Sequence, residues 1–531
     1  MRIDRLYIPN YKNLHSFEIN FDESQATTVL LGRNGSGKSN LIEAIVEIFR
    51  ELEAGGQPPF AYRIDYVCRD HLISIDADPS RPTRRMTISV NGKQIPLKAF
   101  NEDISKYLPN YVFAYYSGWS SRLERHFDRP TRKHYNAVLN AKDNKLPLRR
   151  MFFCRREYSQ LVLLAFFLST SQSARSLLEG HLGIKRFDSA LFVLKTPYWR
   201  DSGAPNHTQL KEGDPRFWYA RGAFKGLLDR LWRTALAPIR NIDSVERDIR
   251  KQAEKTERLY LFIKNEDDLA NLKETNDDPK DLFGYLESLF LCDLIDEVRV
   301  TVEKTDGTRV KFTQMSEGEQ QLLTVIGLLL FTLNDESLYL LDEPDTHLNP
   351  IWTYEFLKLI QENIRADKGQ LVIATHNPLM IGTLHRNQVR IIQKDIDENN
   401  VVSSTAREPE YDPIGIGVEG LLKSEIYGLR STLAPELVEK LDRHYLLLGK
   451  NPRSTDEQKE LRTIAAELNS LGVSRTHPNP YFELFASAMA RRVQQDELIL
   501  SKEDIEAQAK LANKILAELL DEKDGEEGER K

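Results

Sequence analysis

Residues 32–39 read Gly-Arg-Asn-Gly-Ser-Gly-Lys-Ser and match the phosphate-binding pattern G-x-x-x-x-G-K-[ST] at all four anchor positions. Residues 27–31, TTVLL, are a short buried strand, and helical spacing follows over 38–51. A strand entering a glycine turn and leaving into a helix wraps backbone N–H groups around an anion and aims a positive dipole at it. Gly32, Asn34, Gly35, Ser36, Gly37 and Asn40 are expected to line the nucleotide. Lys38 would reach the β- and γ-phosphates and Ser39 would ligate Mg²⁺.

Three more stretches extend this reading. Residues 338–344, LYLLDEP, form an apolar strand ending in adjacent carboxylates. In a doubly wound sheet the strand ends face the nucleotide, so Asp342 is expected to bind Mg²⁺ through water and Glu343 to polarise an attacking water. Residues 371–378, LVIATHNP, end a further buried strand at Thr375-His376, where a histidine can hydrogen-bond the γ-phosphate. Residues 315–323, MSEGEQQLL, start a helix. Ser316 and Glu319 make a capping box ahead of Leu322, Leu323, Val325 and Ile326. A capped N-terminus containing Gly318 also suits a phosphate.

Bulk properties narrow the class. A chain of 531 residues suggests about two to four units. With 40% hydrophobic and 29% charged residues, it is an ordinary globular composition. The net charge of −7 excludes wholesale coating of nucleic acid and leaves room for a local basic strip. Arg81, Arg84 and Arg85, then Arg122, Arg125, Arg129, Arg132 and Lys133, then Arg149, Arg150, Arg155 and Arg156, are the clusters that would contact DNA if they share a face. Cys68, Cys154 and Cys292 have no metal-ligand spacing, which points to a reducing compartment. The opening MRIDRLYIPN reads as a strand and not a signal peptide. The longest apolar run, 161–168, is far short of the about 18 residues a membrane span needs. A cytoplasmic protein without membrane contact is expected.

The expected fold is α/β: an ATPase head with an N-terminal antiparallel sheet, a helical insertion and a helical C-terminal extension. An N-terminal lobe over 1–120 has strands at 2–8, 17–21 and 111–116 and a hairpin around Asn91-Gly92. A mainly helical insertion follows over 121–294. The second lobe, 295–400, carries the later motifs, with strands at 297–303 and 309–313 around Asp306-Gly307 and another near 389–393. The helical extension spans 401–521, most clearly amphipathic at 504–520, before a charged, disordered tip at 522–531.

The order of phosphate loop, insertion, Ser-x-Gly helix, Asp-Glu strand and Thr-His strand resembles the ATP-binding-cassette (ABC) superfamily, closest to its branch with SMC, RecF and OLD-type ATPases. That resemblance implies an ATPase that uses ATP and Mg²⁺, with Glu343 and His376 catalytic. It makes MSEGE the signature motif, so Ser316, Gly318 and Glu319 touch the γ-phosphate held by a second subunit of a homodimer or higher oligomer. Asp345 and His347 then fall in the D-loop at the dimer seam. Two departures stand out. The family places a metal-sensing Gln before the insertion, where this chain has Ser117-Gly118-Trp119, and Glu317 replaces the first signature glycine. Residues 8–14, IPNYKNL, resemble the opening of RecF-type proteins and put Lys12 near the nucleotide.

The segment 412–429 is similar to one in restriction-associated and Septu-type (PtuA) ATPases of antiphage defence. There a separate His-Asn-His nuclease (PtuB) accompanies the ATPase, sometimes with a reverse transcriptase and its RNA–DNA. Val418-Glu419-Gly420 is not followed by an Asp-x-Asp pair, so no nuclease site is expected in this chain. The alternative is a RecF- or SMC-like ATPase of DNA repair or recombination.

Overall fold

The structure, a computed structural model, describes residues 1–141, 148–197, 204–205, 207–245, 254–273, 278–332, 336–362, 364, 368–396, 402–450, 452–471, 510–511 and 514. Six strands with parallel neighbours make up one end of a 13-stranded sheet, in the order Val389–Ile396, Thr27–Leu31, Gly369–Ala374, Ser337–Asp342, Tyr111–Tyr116 and, at the edge, Met151–Phe153. Thr27–Leu31, Ser337–Asp342 and Gly369–Ala374 are buried at every position, as strands covered on both faces must be. Their register aligns Asp342 with both Ala374 and Tyr116. Glu343, Thr375 and Ser117 therefore leave the sheet together, on the edge where the glycine loop begins.

Beyond this core the pairing is antiparallel except for one parallel contact, at Thr405 and Glu18. Val402–Arg407 pairs with Val389–Ile396 and, through Thr405, lies beside Glu18 of Leu14–Asn20. Arg2–Tyr11, Tyr62–Cys68, His71–Ala77, Met86–Val90 and Lys93–Ile95 continue outward. Asn91 and Gly92 close the last hairpin with φ of 50° and 77°, the left-handed pair a two-residue turn of this hand requires.

The insertion adds strands to the helices expected of it. Ile184–Lys195, Glu254–Ile263 and Ile239–Val245 join Ile295–Lys304 and Arg309–Lys311 in a second, five-stranded antiparallel sheet. Strict period-two alternation is missing from Ile184–Lys195, IKRFDSALFVLK, because both ends of the run bury consecutive or widely spaced residues. The insertion helices Ser159–Phe167 and Pro279–Leu291 pack beside Glu317–Thr332 through Phe166–Phe331 and Phe283–Phe331 ring contacts. Arg149 and Glu287, both buried, pair at 2.8 Å with Tyr158 donating to the same carboxylate. A charge taken out of water needs such a partner.

The chain divides into two compact units, 1–380 with 387–407, and 381–386 with 408–531. The strand Val402–Arg407 belongs to the first, although the helical extension was expected to begin at 401. The second unit contains Gly417–Lys423 and a helix pair, Pro435–Gly449 and Thr455–Ser470. Arg443 grips Glu460 with two hydrogen bonds, and Lys440 donates to Glu467 at 2.6 Å. Most of the segment 504–520 and all of the tip 522–531 lie outside the described residues. No described helix is long and apolar enough to cross a membrane.

Candidate functional site

The glycine loop has the backbone its residue types allow. Gly32 has φ 145°, and a Cβ there would lie 2.4 Å from the Ile392 carbonyl and 2.6 Å from Ser36 Oγ. Only glycine fits. Asn34 and Gly35 are exposed at the tip, whereas Ser36, Gly37 and Lys38 are buried. Lys38 Nζ donates to the Gly32 carbonyl at 2.8 Å. Burial pushes its pKa down, against the pull of the Glu343 and Asp342 carboxylates.

Asp342 ends its strand almost fully buried. Burial pushes its carboxyl up to about 6, with the Ser39 hydroxyl bond pulling down and the Glu343 charge pushing up. Two buried oxygens here lack a hydrogen-bond partner, Asp342 Oδ1 and Ser36 Oγ. Buried polar atoms are normally satisfied. An orphaned carboxylate oxygen beside the Ser39 hydroxyl fits a hard divalent cation, and an orphaned hydroxyl in the loop fits a phosphate oxygen.

Glu343 follows with φ 53°, a left-handed conformation unfavourable to a side chain with a Cβ. Its N–H donates to Ala374 O at 2.8 Å, and its carbonyl accepts from the Thr346 hydroxyl at 2.9 Å. This sharp exit turns the carboxylate toward His376, whose Nδ1 lies 2.7 Å from Glu343 Oε2. His376 is largely exposed, on the loop after Gly369–Ala374. The fold thus brings together Lys38, Ser39, Asp342, Glu343 and His376, residues from three stretches of sequence.

Ser316 and Glu319 form the expected capping box. The Ser316 N–H and hydroxyl donate to Glu319 Oε2 at 2.7 and 2.9 Å, and the Glu319 N–H returns to Ser316 Oγ at 3.3 Å. Lys304 Nζ holds the other carboxylate oxygen at 2.8 Å. Burial would raise the Glu319 pKa, but the Lys304 and Ser316 hydrogen bonds outweigh it and hold it below the usual range. Ser316 is exposed, while Gly318 is buried against the following loop. A Cβ on Gly318 would sit 2.6 Å from the His347 carbonyl. Glu317, in the place of a glycine, ion-pairs with Arg156 at 3.3 Å and has Oε2 3.7 Å from His347 Nδ1. Asp345 is buried and accepts the Thr375 hydroxyl at 2.9 Å. Its carboxylate locks the two motif loops together inside the subunit.

Lys12 has φ 53° and ion-pairs with Glu43 on the helix Lys38–Ala54. Its neighbour Asn13 touches the glycine loop, donating to the Gly35 carbonyl at 2.7 Å and accepting from Asn40. The role of Asn13 escaped the sequence reading, as did those of Glu43 and Arg122. Only the position of Asn13 in the run 8–14 hinted at it.

Several members of the basic clusters stand in ion pairs. Arg81 pairs with Asp76 and Asp78, Arg129 with Glu51, Arg155 with Glu124 and Arg156 with Glu317, and Arg149 is buried on Glu287.

Comparison with known proteins finds ATPase-domain similarity. Residues 1–145 match a family model described as "AAA ATPase domain", and residues 196–382 match one described as "AAA domain, putative AbiEii toxin, Type IV TA system". Septu protein PtuA of Bacillus mycoides (strain KBAB4) is 30% identical over 214 residues, covering 38% of this chain and 28% of that protein. Septu protein PtuA of Bacillus thuringiensis is 25% identical over 223 residues, covering 39% of this chain and 53% of that protein. The chain therefore spans about a quarter to a half of these relatives. Among solved structures, an SMC head domain from Thermotoga maritima aligns with 77% of this chain and all of its own, at 14% identity and a TM-score of 0.32. Together with the motif order and the geometry of the site, the sequence matches support an ATPase resembling Septu protein PtuA.

Proposed function

We propose that this chain is the ATP-binding and ATP-hydrolysing subunit of an antiphage defence complex, and that head dimerisation around ATP controls a separate nuclease. The observation that carries the catalytic half is the cluster at the strand ends: buried Asp342 with its orphaned oxygen, Lys38 in the glycine loop, and Glu343 2.7 Å from His376. The defence half rests on the similarity to PtuA.

In this reading Ser39 and Asp342 would hold Mg²⁺, which when bound neutralises charge on the phosphate oxygens. The loop amides and the Ser36 hydroxyl cradle the β-phosphate. Lys38 exchanges its bond to the Gly32 carbonyl for phosphate oxygens. Glu343 orients the attacking water and accepts its proton, and His376 steadies that carboxylate while contacting the γ-phosphate. Phosphoryl transfer depends mainly on positioning and charge, so a capped helix N-terminus delivered by a second subunit, with Ser316, Gly318 and Glu319, completes the site in trans. His347 faces the seam, and Asp345 holds its loop from inside the subunit. The partner is a PtuB-like His-Asn-His nuclease, joined in some systems by a reverse transcriptase and its RNA–DNA, in the cytoplasm.

The test is phage plaquing on cells carrying this chain with its native neighbouring genes. Wild type should restrict plaquing, and Lys38→Ala and Glu343→Gln should abolish restriction without lowering protein level. Full restriction by Lys38→Ala would overturn the proposal. Sensitivity of the same variants to DNA-damaging agents, without a plaquing defect, would favour the repair reading.

A further inference from the structure

The segment expected to carry a metal-sensing Gln carries none, yet it is firmly joined to the site by other groups. Ser117 N–H donates to the Asp342 carbonyl at 3.3 Å, and Ser117 Oγ lies 2.9 Å from Thr346 Oγ1, just beyond Glu343. Five residues on, Arg122 Nη2 donates to Asn40 Oδ1 at 3.0 Å. Asn40 follows Ser39 directly and donates to Asn13, which donates to the Gly35 carbonyl. A chain of side-chain amides thus runs from the Arg122 guanidinium to the tip of the glycine loop.

The other side of Arg122 faces Glu43, one turn further along the same helix. Glu43 is buried, with Lys12 and His126 on Oε1, the latter at 2.8 Å. Arg50 bonds to His126 Nδ1 and can only donate, so the proton of that ring sits on Nε2 and points at Glu43. Oε2 has no hydrogen-bond partner, and Arg122 Nε stands 3.5 Å from it, an ion pair without a hydrogen bond. Arg122 is therefore held by one hydrogen bond, to Asn40, and one longer ion pair, to Glu43. Its side chain is 38% exposed, and most of its five N–H donors face neither Asn40 nor Glu43.

We propose that Arg122 is a positioning residue for the nucleotide. It is a permanent cation anchored by Asn40 and Glu43 that holds the glycine loop in shape through the asparagine relay and supplies positive charge to the phosphate site. The inference rests on the ATP-site reading above. A neutral amide in this segment would bring no charge to the phosphates, whereas an arginine attracts them with or without a metal. Its consequence is that ATP binding in this chain is less dependent on Mg²⁺ than a site without the cation would be.

The experiment measures equilibrium binding of a non-hydrolysable ATP analogue to the full chain, in Mg²⁺ and in EDTA. The proteins are wild type, Arg122→Gln, Arg122→Lys and Lys38→Ala. Arg122→Gln should weaken binding about tenfold or more in EDTA and about threefold or less in Mg²⁺. Arg122→Lys, which keeps the charge and loses the fork, should stay within about threefold of wild type in both. Equal losses for Arg122→Gln in the two conditions, or equal losses for Gln and Lys, would make the residue a structural strut and overturn the proposal. The underlying site fails separately: then Lys38→Ala binds as tightly as wild type. A Gln variant that does not fold leaves the Lys variant, whose EDTA affinity must stay near wild type.

Discussion

His376 Nδ1 lies 2.7 Å from Glu343 Oε2, across the ends of two neighbouring parallel strands. The pair exists because Glu343 leaves its strand with φ 53°. This backbone strain buys an orientation for the carboxylate that an extended exit would not give. Glu343→Gln should lower turnover by about 10²–10³-fold while ATP affinity changes by less than about threefold. Hydrolysis kinetics and equilibrium binding on the same preparation check it, and wild-type turnover in the variant would remove Glu343 from its role. A companion pair isolates the strain. Glu343→Gly should be more stable than Glu343→Ala by about 1 kcal/mol in urea denaturation, since only glycine is at ease at this φ.

If the helix at Ser316 completes a neighbour's site, two dead proteins should complement one another. Lys38→Ala and Ser316→Arg should each hydrolyse almost nothing. A heterodimer of the two has one composite site with both wild-type halves, so an equimolar mixture should recover roughly a quarter of wild-type turnover. Continued inactivity of the mixture, with dimers confirmed by light scattering, would argue against action in trans.

Gly318 is packed on the carbonyl of His347, so a methyl group should force the two motif loops apart. Gly318→Ala should cost about 1–2 kcal/mol of stability and depress turnover. Gly415→Ala, where no neighbouring atom lies within 4 Å, is the matching control and should leave both unchanged. Thermal melts of the two variants distinguish the cases.

Glu43 predicts a pH dependence of stability. Burial works to raise its pKa, but the His126 and Lys12 hydrogen bonds, with the Lys12 and Arg122 charges, outweigh it and hold the carboxyl at about 2, below the ordinary 4.5. A lowered folded value means the stabilisation is present above pH about 4.5 and disappears as pH falls toward 2. Allowing for solvent screening, about 1–3 kcal/mol is at stake. Glu43→Gln should therefore be less stable than wild type at pH 7 and converge with it near pH 2–3, as read by urea midpoints across that range. Parallel curves at all pH values would deny Glu43 this part.

Removing one member of the buried Arg149–Glu287 pair should be far more damaging than removing any exposed pair. Glu287→Leu leaves a guanidinium buried without its counter-charge and should cost about 3–5 kcal/mol. Arg443→Ala, which breaks an exposed pair with Glu460, should cost less than about 1 kcal/mol. Denaturant midpoints rank the two.

The sequence by itself determined the local chemistry. Gly32 to Ser39, Ser316 to Glu319, Asp342-Glu343 and Thr375-His376 are short, and each carries its meaning in spacing, charge and flanking apolar runs. The structure finds the capping box, the buried strands and the hairpin at Asn91-Gly92 where these patterns put them. Only the tertiary structure decided which distant groups meet. Asn13 bonds to Gly35, Arg122 reaches Asn40 from 82 positions away, and Thr405 lies beside Glu18 in the sheet. Neither polar side chain repeats with any period, and a single lysine, asparagine or arginine reads as ordinary surface until the sheet brings its partner near. The insertion hid its strands for a related reason. Its strands are stabilised by pairing with one another and with Ile295–Lys304, and long-range pairing leaves a weak mark on any one segment.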